Sequence, residues 1–271
     1  MAVKSKTSGA IVRPEASAGD FDPLADLISY TDEADYHRLV VLYGEAGIGK
    51  TTALEQMMLR GYKVLILDCD LGGTEPLERQ HRPAIQIPDW ERFLVVHERL
   101  LAGAYSRYDI VAIDTGTFLQ HHASVYVGMG KGASSTGPET LRVRDLIVAK
   151  LRELRKLPVT IIVTAHEQRV SEKPPGASEA RLAKVFPSFF PKVWEGVNAV
   201  STAVGRMSWR TVGAENIRVL SFREGPIYVR KDRTELLPAE VERPDFGDIM
   251  DLLLKKERND VGKSVEVQPA A

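Results

Sequence analysis

Nine residues constrain this chain more than any others: Gly44, Glu45, Ala46, Gly47, Ile48, Gly49, Lys50, Thr51 and Thr52. Together they fit the phosphate-binding pattern G-x-x-x-x-G-K-[ST] at every fixed position. The three glycines let the backbone curl so that its N–H groups point inward at an anion, and the positive end of a following helix adds to the attraction. The flanks supply the context such a loop needs. Leu39-Val40-Val41-Leu42-Tyr43 reads as a buried strand, and Ala53 to Leu59 reads as a helix. In that setting Lys50 reaches the β- and γ-phosphates of a nucleotide and the Thr51 hydroxyl holds Mg²⁺. The bland reading, a glycine-rich turn with a lysine on a helix, leaves the flanking pattern unexplained.

Length and composition then narrow the class. The 271 residues suffice for one large α/β domain with appendages, and 44% hydrophobic with 27% charged residues is ordinary for a globular protein. No apolar run reaches the roughly 18 residues that span a bilayer, so no membrane association is expected. Residues 1–20 are polar and small, without periodicity, and read as a disordered leader; they lack the apolar segment of a secretory signal. The single cysteine, Cys69, excludes an internal disulfide and suits a reducing cytoplasm. With a net charge of -1, nucleic-acid contact has to come from local basic loops.

Strands and helices alternate along the middle of the chain. Lys63 to Leu67, Ile110 to Asp114 and Thr160 to Thr164 read as further buried strands, with Ala84 to Ile87 as a short one. Trp90 to Leu101, capped by Asp89, and Glu139 to Lys156, with Pro138 in its first turn, read as helices. Residues 115–137 and 168–190 read as long polar loops, and a short helix is expected near Pro23 to Ile28. Three β-like runs follow, Ala199 to Val204, Ile217 to Phe222 and Pro226 to Val229, then a helix at Phe246 to Lys256 and a polar tail. The pattern predicts an α/β fold with a mainly parallel central sheet flanked by helices and a C-terminal β-meander extending it. The domain runs from residue 21 to 240, and residues 241–271 form the short helix and tail.

A phosphate loop needs a second acid for Mg²⁺ and a group that positions the attacking water. Asp114, pushed out at the end of an apolar strand, fits the first role, with Thr115 beside it; the alternative is a strand-ending turn. Asp68 and Asp70 end the second strand at the edge where ligands of parallel sheets collect, with Glu75 a weaker option; Asp70 is narrowly preferred as the water-positioning base. His166 ends the fourth strand on the same edge, where it would sense the γ-phosphate or simply close the strand with a hydrogen bond. The pair His121-His122 has no further ligands at zinc spacing, and Cys69 reads as a buried small residue. The cluster Arg230-Lys231-Asp232-Arg233 is either a solvated turn or a source of cations, Lys231 and Arg233, that act in trans on a neighbouring subunit's γ-phosphate.

In this order the pieces resemble the RecA-like P-loop ATPases, and especially the phage-encoded single-strand DNA recombinase and annealing ATPases. The resemblance runs from about Arg38 to Thr234, through 44–52, Ile66 to Asp70, Ile110 to Thr115, Ile161 to Glu167 and Arg230 to Thr234. It implies ATP and Mg²⁺ as cofactors, DNA-stimulated ATP hydrolysis, and a homo-oligomer, ring or filament, with ATP sites between subunits. Lys231 and Arg233 then look like the Lys-x-Arg finger pair of such motors. Residues 115–137 and 167–190 would correspond to loops binding single-stranded DNA, with Tyr126 the clearest aromatic there. Many relatives carry glutamate where this chain has Asp70, and some place a glutamine near His166. The function implied is a cytoplasmic, phage-derived ATPase acting on single-stranded DNA in recombination, repair or replication. A helicase-like motor or loader, or a nucleotide-switched assembly protein without a DNA role, are the alternatives.

Overall fold

Strands that are apolar along nearly their whole length bury both faces, and four of them build the centre of this protein. The computed structural model describes residues 38–70, 84–129, 137–173, 179–223 and 225–254, all within the compact unit His37–Ala271. The four are β1 (Leu39–Gly44), β2 (Val64–Asp68), then, after a short β3 (Ala84–Gln86), β4 (Ile110–Asp114) and the first half of β5 (Thr160–Glu172). The later strands are β6 (Arg181–Pro187), β7 (Ala203–Val212), β8 (Glu215–Ser221), β9 (Lys231–Asp232) and β10 (Glu240–Glu242).

The sheet order is β10-β8-β7-β1-β5-β4-β2-β3, with β6 on β5 and β9 on β7. From β7 through β3 neighbouring strands are parallel; β8, β9 and β10 add on antiparallel. The expected parallel core with a C-terminal antiparallel extension is therefore present. Its register aligns Gly44 with His166 and Asp68 with Asp114, so the chemistry-bearing strand ends share one edge.

Strand alternation sorts side chains into two layers. Val40 and Leu42 pack with α1 (Lys50–Leu59) and, at the far end of the chain, the helix Phe246–Leu253. Leu39, Val41 and Tyr43 face the opposite layer, built by α2 (Trp90–Leu101), α3 (Gly116–Tyr126), α4 (Pro138–Leu154) and α5 (Pro191–Val200), which makes Phe246–Leu253 α6. Each aliphatic side chain so enclosed contributes roughly 1.5–3 kcal/mol. Asp89 caps α2, accepting from the Arg92 N–H at 2.7 Å, and Pro138 opens α4. Among the described residues no helix is long and apolar enough to cross a membrane.

Several expectations change. Residues 116–126, read as loop, form α3: Thr115 caps it by accepting from the Phe118 N–H at 3.4 Å, and Leu119 and Ala123 bury its inner face. Gly116 lets that helix approach the sheet, since a Cβ there would meet Val163 Cγ1 at 2.6 Å and Phe189 Cζ at 2.8 Å. The described residues of the segment 168–190 are not loop either: β5 continues to Glu172 and pairs antiparallel with β6 through a bulge at Val170/Ser171. Its residues are mostly exposed on both faces, which removes the apolar alternation that marks a strand. The run Ala199 to Val204 is the end of α5 followed by the start of β7, and Pro226 to Val229 contributes one bridge, Tyr228 to Val185. The last helix stops at Leu253. The leader, the helix near Pro23, Glu75, Lys131 and the tail from residue 255 lie outside the described residues.

Candidate nucleotide site

The phosphate loop leaves the sheet where β1 ends. Gly47 and Gly49 take φ of 74° and 99°, the left-handed region that a side chain disfavours. Gly44 is needed for a different reason: a Cβ there would stand 2.5 Å from the Met207 carbonyl oxygen on β7. Helix α1 then begins at Lys50, so its free N–H groups and positive dipole end face the loop.

Lys50 is buried, and its Nζ donates to the loop's own carbonyls, Gly44 at 3.2 Å and Glu45 at 2.9 Å. Burial lowers its pKa, while the nearby carboxylates of Asp114, Asp70 and Glu167 act to raise it. The Thr51 hydroxyl donates to Asp114 Oδ2 at 2.7 Å, and the Thr164 hydroxyl donates to Asp114 Oδ1. Asp114 is only 2% exposed, and burial pushes its pKa up against the effect of those two hydroxyls. A buried carboxylate beside a threonine hydroxyl is a hard-oxygen pair suited to Mg²⁺, and the adjoining lysine ammonium suits the polyphosphate that the ion accompanies. Thr51 and Asp114 would hold the ion, which would neutralise charge on the phosphates.

Asp70 lies just past β2, its N–H donating to Asp68 Oδ1 at 3.2 Å; its carboxylate acts electrostatically on Lys50, Asp114 and His166. His166 is partly buried, with its N–H donating to Thr117 Oγ1 at 3.1 Å and its ring edge-on to Phe118. Burial, then Lys50, lowers its pKa, which leaves the imidazole neutral at pH 7. The fold thus brings Lys50, Thr51, Asp70, Asp114 and His166 together.

Lys231 and Arg233 are elsewhere. Strand β9 pairs with β7 at Ala203 and Val204, level with Val40 and Val41, toward the opposite edge of the sheet. Lys231 Nζ donates to the Asn198 carbonyl and Arg233 Nη1 to that of Ala199 at 3.2 Å, near the C-terminus of α5 where cations are favoured. Lys231 is level with Val41, three residues before Gly44, and Arg233 lies further back beside Thr202, so at about 3.3 Å per strand residue both stand about 10 Å or more from their own phosphate loop. His122 Nε2 is 2.9 Å from the Cys69 carbonyl oxygen, and burial keeps the Cys69 thiol protonated.

Sequence reasoning missed a charged network beside the loop. The buried Glu167 carboxylate accepts from Arg169 Nε and Arg206 Nε, each at 2.8 Å. Arg169 also pairs with Glu45 of the phosphate loop, and Arg206 lies 4.3 Å over the Tyr228 ring. Adjacency to His166 was the only available signal for Glu167; Arg206 and Tyr228 carried none.

No curated protein sequence matches the chain. Among solved structures it is similar to the flagellar accessory protein FlaH from Methanocaldococcus jannaschii, at 15% identity and a TM-score of 0.39 over 68% of this chain and 76% of that one. It is similar to the RadB recombinase at 17% identity, TM-score 0.45, over 78% and 89%. It is also similar to the KaiC-like protein PH0186 from Pyrococcus horikoshii OT3 at 16% identity, TM-score 0.41, over 76% and 89%. The family model described as AAA domain matches residues 37–234, from the strand before the phosphate loop to the end of the Arg-Lys-Asp-Arg-Thr run, and the chain belongs to that family.

Proposed function

We propose that this protein binds and hydrolyses magnesium-ATP and couples turnover to single-stranded DNA, as a homo-oligomer in a cytoplasmic setting. Lys50 and the loop N–H groups hold the phosphates, Thr51 and Asp114 hold Mg²⁺, Asp70 positions the attacking water, and His166 senses the γ-phosphate. The observation that carries the DNA part is the β5–β6 hairpin. It extends the strand bearing Thr164 and His166, exposes Arg169, Lys173, Arg181 and Lys184, and is tied to the phosphate loop through Arg169 and Glu45. Exposed cations on such a hairpin suit the backbone of a single strand, and the Arg169–Glu45 pair gives a route from phosphate occupancy to hairpin position.

ATP turnover by the purified chain is expected to rise when single-stranded DNA is added, with the rise lost at high salt. Turnover that ignores DNA at every salt concentration would overturn the DNA part and favour a nucleotide-switched assembly protein. In the oligomer, Lys231 and Arg233 reach the neighbour's phosphates, since they lie far from their own. Arg233→Ala is therefore expected to lower turnover about a hundredfold or more. Mixing it with Lys50→Ala chains should restore part of the activity; a mixture no more active than its components would contradict a shared site.

A further inference from the structure

Strands β7 and β8 run past the edge of the sheet. Tyr43 is level with Arg206, yet β7 continues to Val212 and β8 returns from Glu215. Ala203, Met207 and Leu220 belong to the core layer shared with α1. Side chains alternate along a strand, so Trp209 and Arg218 continue that same face beyond the core. They are directly opposed partners across the hairpin, an arrangement that sets their side chains side by side.

Arg218 reaches the phosphate loop. A Cβ on Gly49 would stand 2.6 Å from Arg218 Nη1 and 3.7 Å from the Thr52 Cβ. A guanidinium thus lies against the positive end of α1, and among the described residues it has no hydrogen-bond or ion-pair partner. Two positive groups in contact without a counter-charge are unfavourable until an anion joins them. Trp209 beside it is 52% exposed, whereas Trp90 and Trp194 are buried.

We propose that the Trp209–Arg218 pair is the nucleotide-recognition face of this site: Arg218 contacts the phosphate chain on its Thr52 side, and the Trp209 indole stacks on the base. This rests on the ATP-binding reading above. It supplies what the phosphate loop lacks, a surface that separates a nucleotide from a bare polyphosphate, since the loop's own groups all address phosphate and metal.

The test is calorimetric titration of the full chain with Mg-ATP and with Mg-tripolyphosphate, which has no base. Trp209→Ala is expected to weaken ATP about tenfold and leave tripolyphosphate unchanged, while Trp209→Phe keeps most of the ATP affinity. Arg218→Ala is expected to weaken both ligands about tenfold or more. ATP should also protect tryptophan fluorescence from acrylamide in the wild type, since Trp209 alone of the three tryptophans is open to solvent. Thermal melting confirms that the variants are folded. If the wild type binds both ligands and folded Trp209 and Arg218 variants bind them equally well, the recognition face is wrong and the nucleotide site stands. If the wild type binds neither ligand, the nucleotide reading falls and this inference with it.

Discussion

Replacing Lys50 with alanine is expected to abolish ATP turnover while leaving the protein folded. Lys50 is 7% exposed and its bonds go to the Gly44 and Glu45 carbonyls, so it holds the loop by its own ammonium and is paired with no single carboxylate. Removing it breaks no tight ion pair, the loss that makes most buried-charge deletions severe, and the buried Asp114, which gives up a favourable neighbour, keeps both its threonine bonds. Alanine is also a strong helix former at the first position of α1. The melting temperature should therefore move little. The phosphates, however, lose the loop's own cation, placed to meet charge developing on the transferring group, and turnover should fall on the order of a hundredfold or more. Initial rates with Mg-ATP, paired with thermal melts of the same preparation, check both halves. Undiminished turnover would remove the phosphate loop from the chemistry, and a variant that melts with the unfolded chain's signature would show that Lys50 serves the fold.

How much of this was legible beforehand follows from how each feature is encoded. Lys50, Thr51 and Asp114 were readable because local patterns carry them: a glycine-lysine-threonine spacing and a carboxylate ending an apolar run. The parallel sheet was readable because Val40, Ile66, Val111 and Ile162 sit in runs that are apolar at every position, as doubly covered strands require. Helix α3 was not, because its inward face mixes Leu119 and Ala123 with Gln120 and Ser124 and leaves Phe118, Val125 and Tyr126 outside, which blurs the period. Gln120 is polar there for a reason found only in three dimensions: its Oε1 accepts from the Phe190 N–H at 2.7 Å, seventy residues away. The outer part of the β5–β6 hairpin was hidden for the opposite cause, since from Gln168 to Glu172 and from Arg181 to Lys184 both faces are largely exposed and no apolar side announces a strand. Arg218 becomes a neighbour of Gly49, and Trp209 a neighbour of Arg218, only through the register of β7 with β8 and the overhang of that hairpin. Spacing along the chain holds no trace of that.

Asp114→Asn should separate the two duties of that carboxylate, which oppose each other. Burial raises its pKa above the ordinary value of 3.8, so the native state holds this proton more tightly than the unfolded chain does. Between 3.8 and the folded-state pKa the native protein therefore binds more protons, and this group's contribution to stability falls as pH rises. Above that window the buried charge remains a standing cost, reduced but not removed by the Thr51 and Thr164 hydroxyls. Asparagine keeps the shape, accepts from one hydroxyl and donates to the other, and carries no charge. Without nucleotide, Asp114→Asn is expected to melt above the wild type at pH 7, with the difference shrinking to nothing as pH falls below 3.8. Turnover should move the other way, falling about a hundredfold or more with the loss of the anionic ligand for Mg²⁺, and Mg-ATP should raise the melting temperature of the wild type more than that of the variant. The two signs together identify a group whose charge is kept for the ligand at the expense of the empty fold. A variant less stable than wild type at neutral pH would mean that the two threonine bonds outweigh the cost of burial, and full turnover would mean that another acid holds the metal.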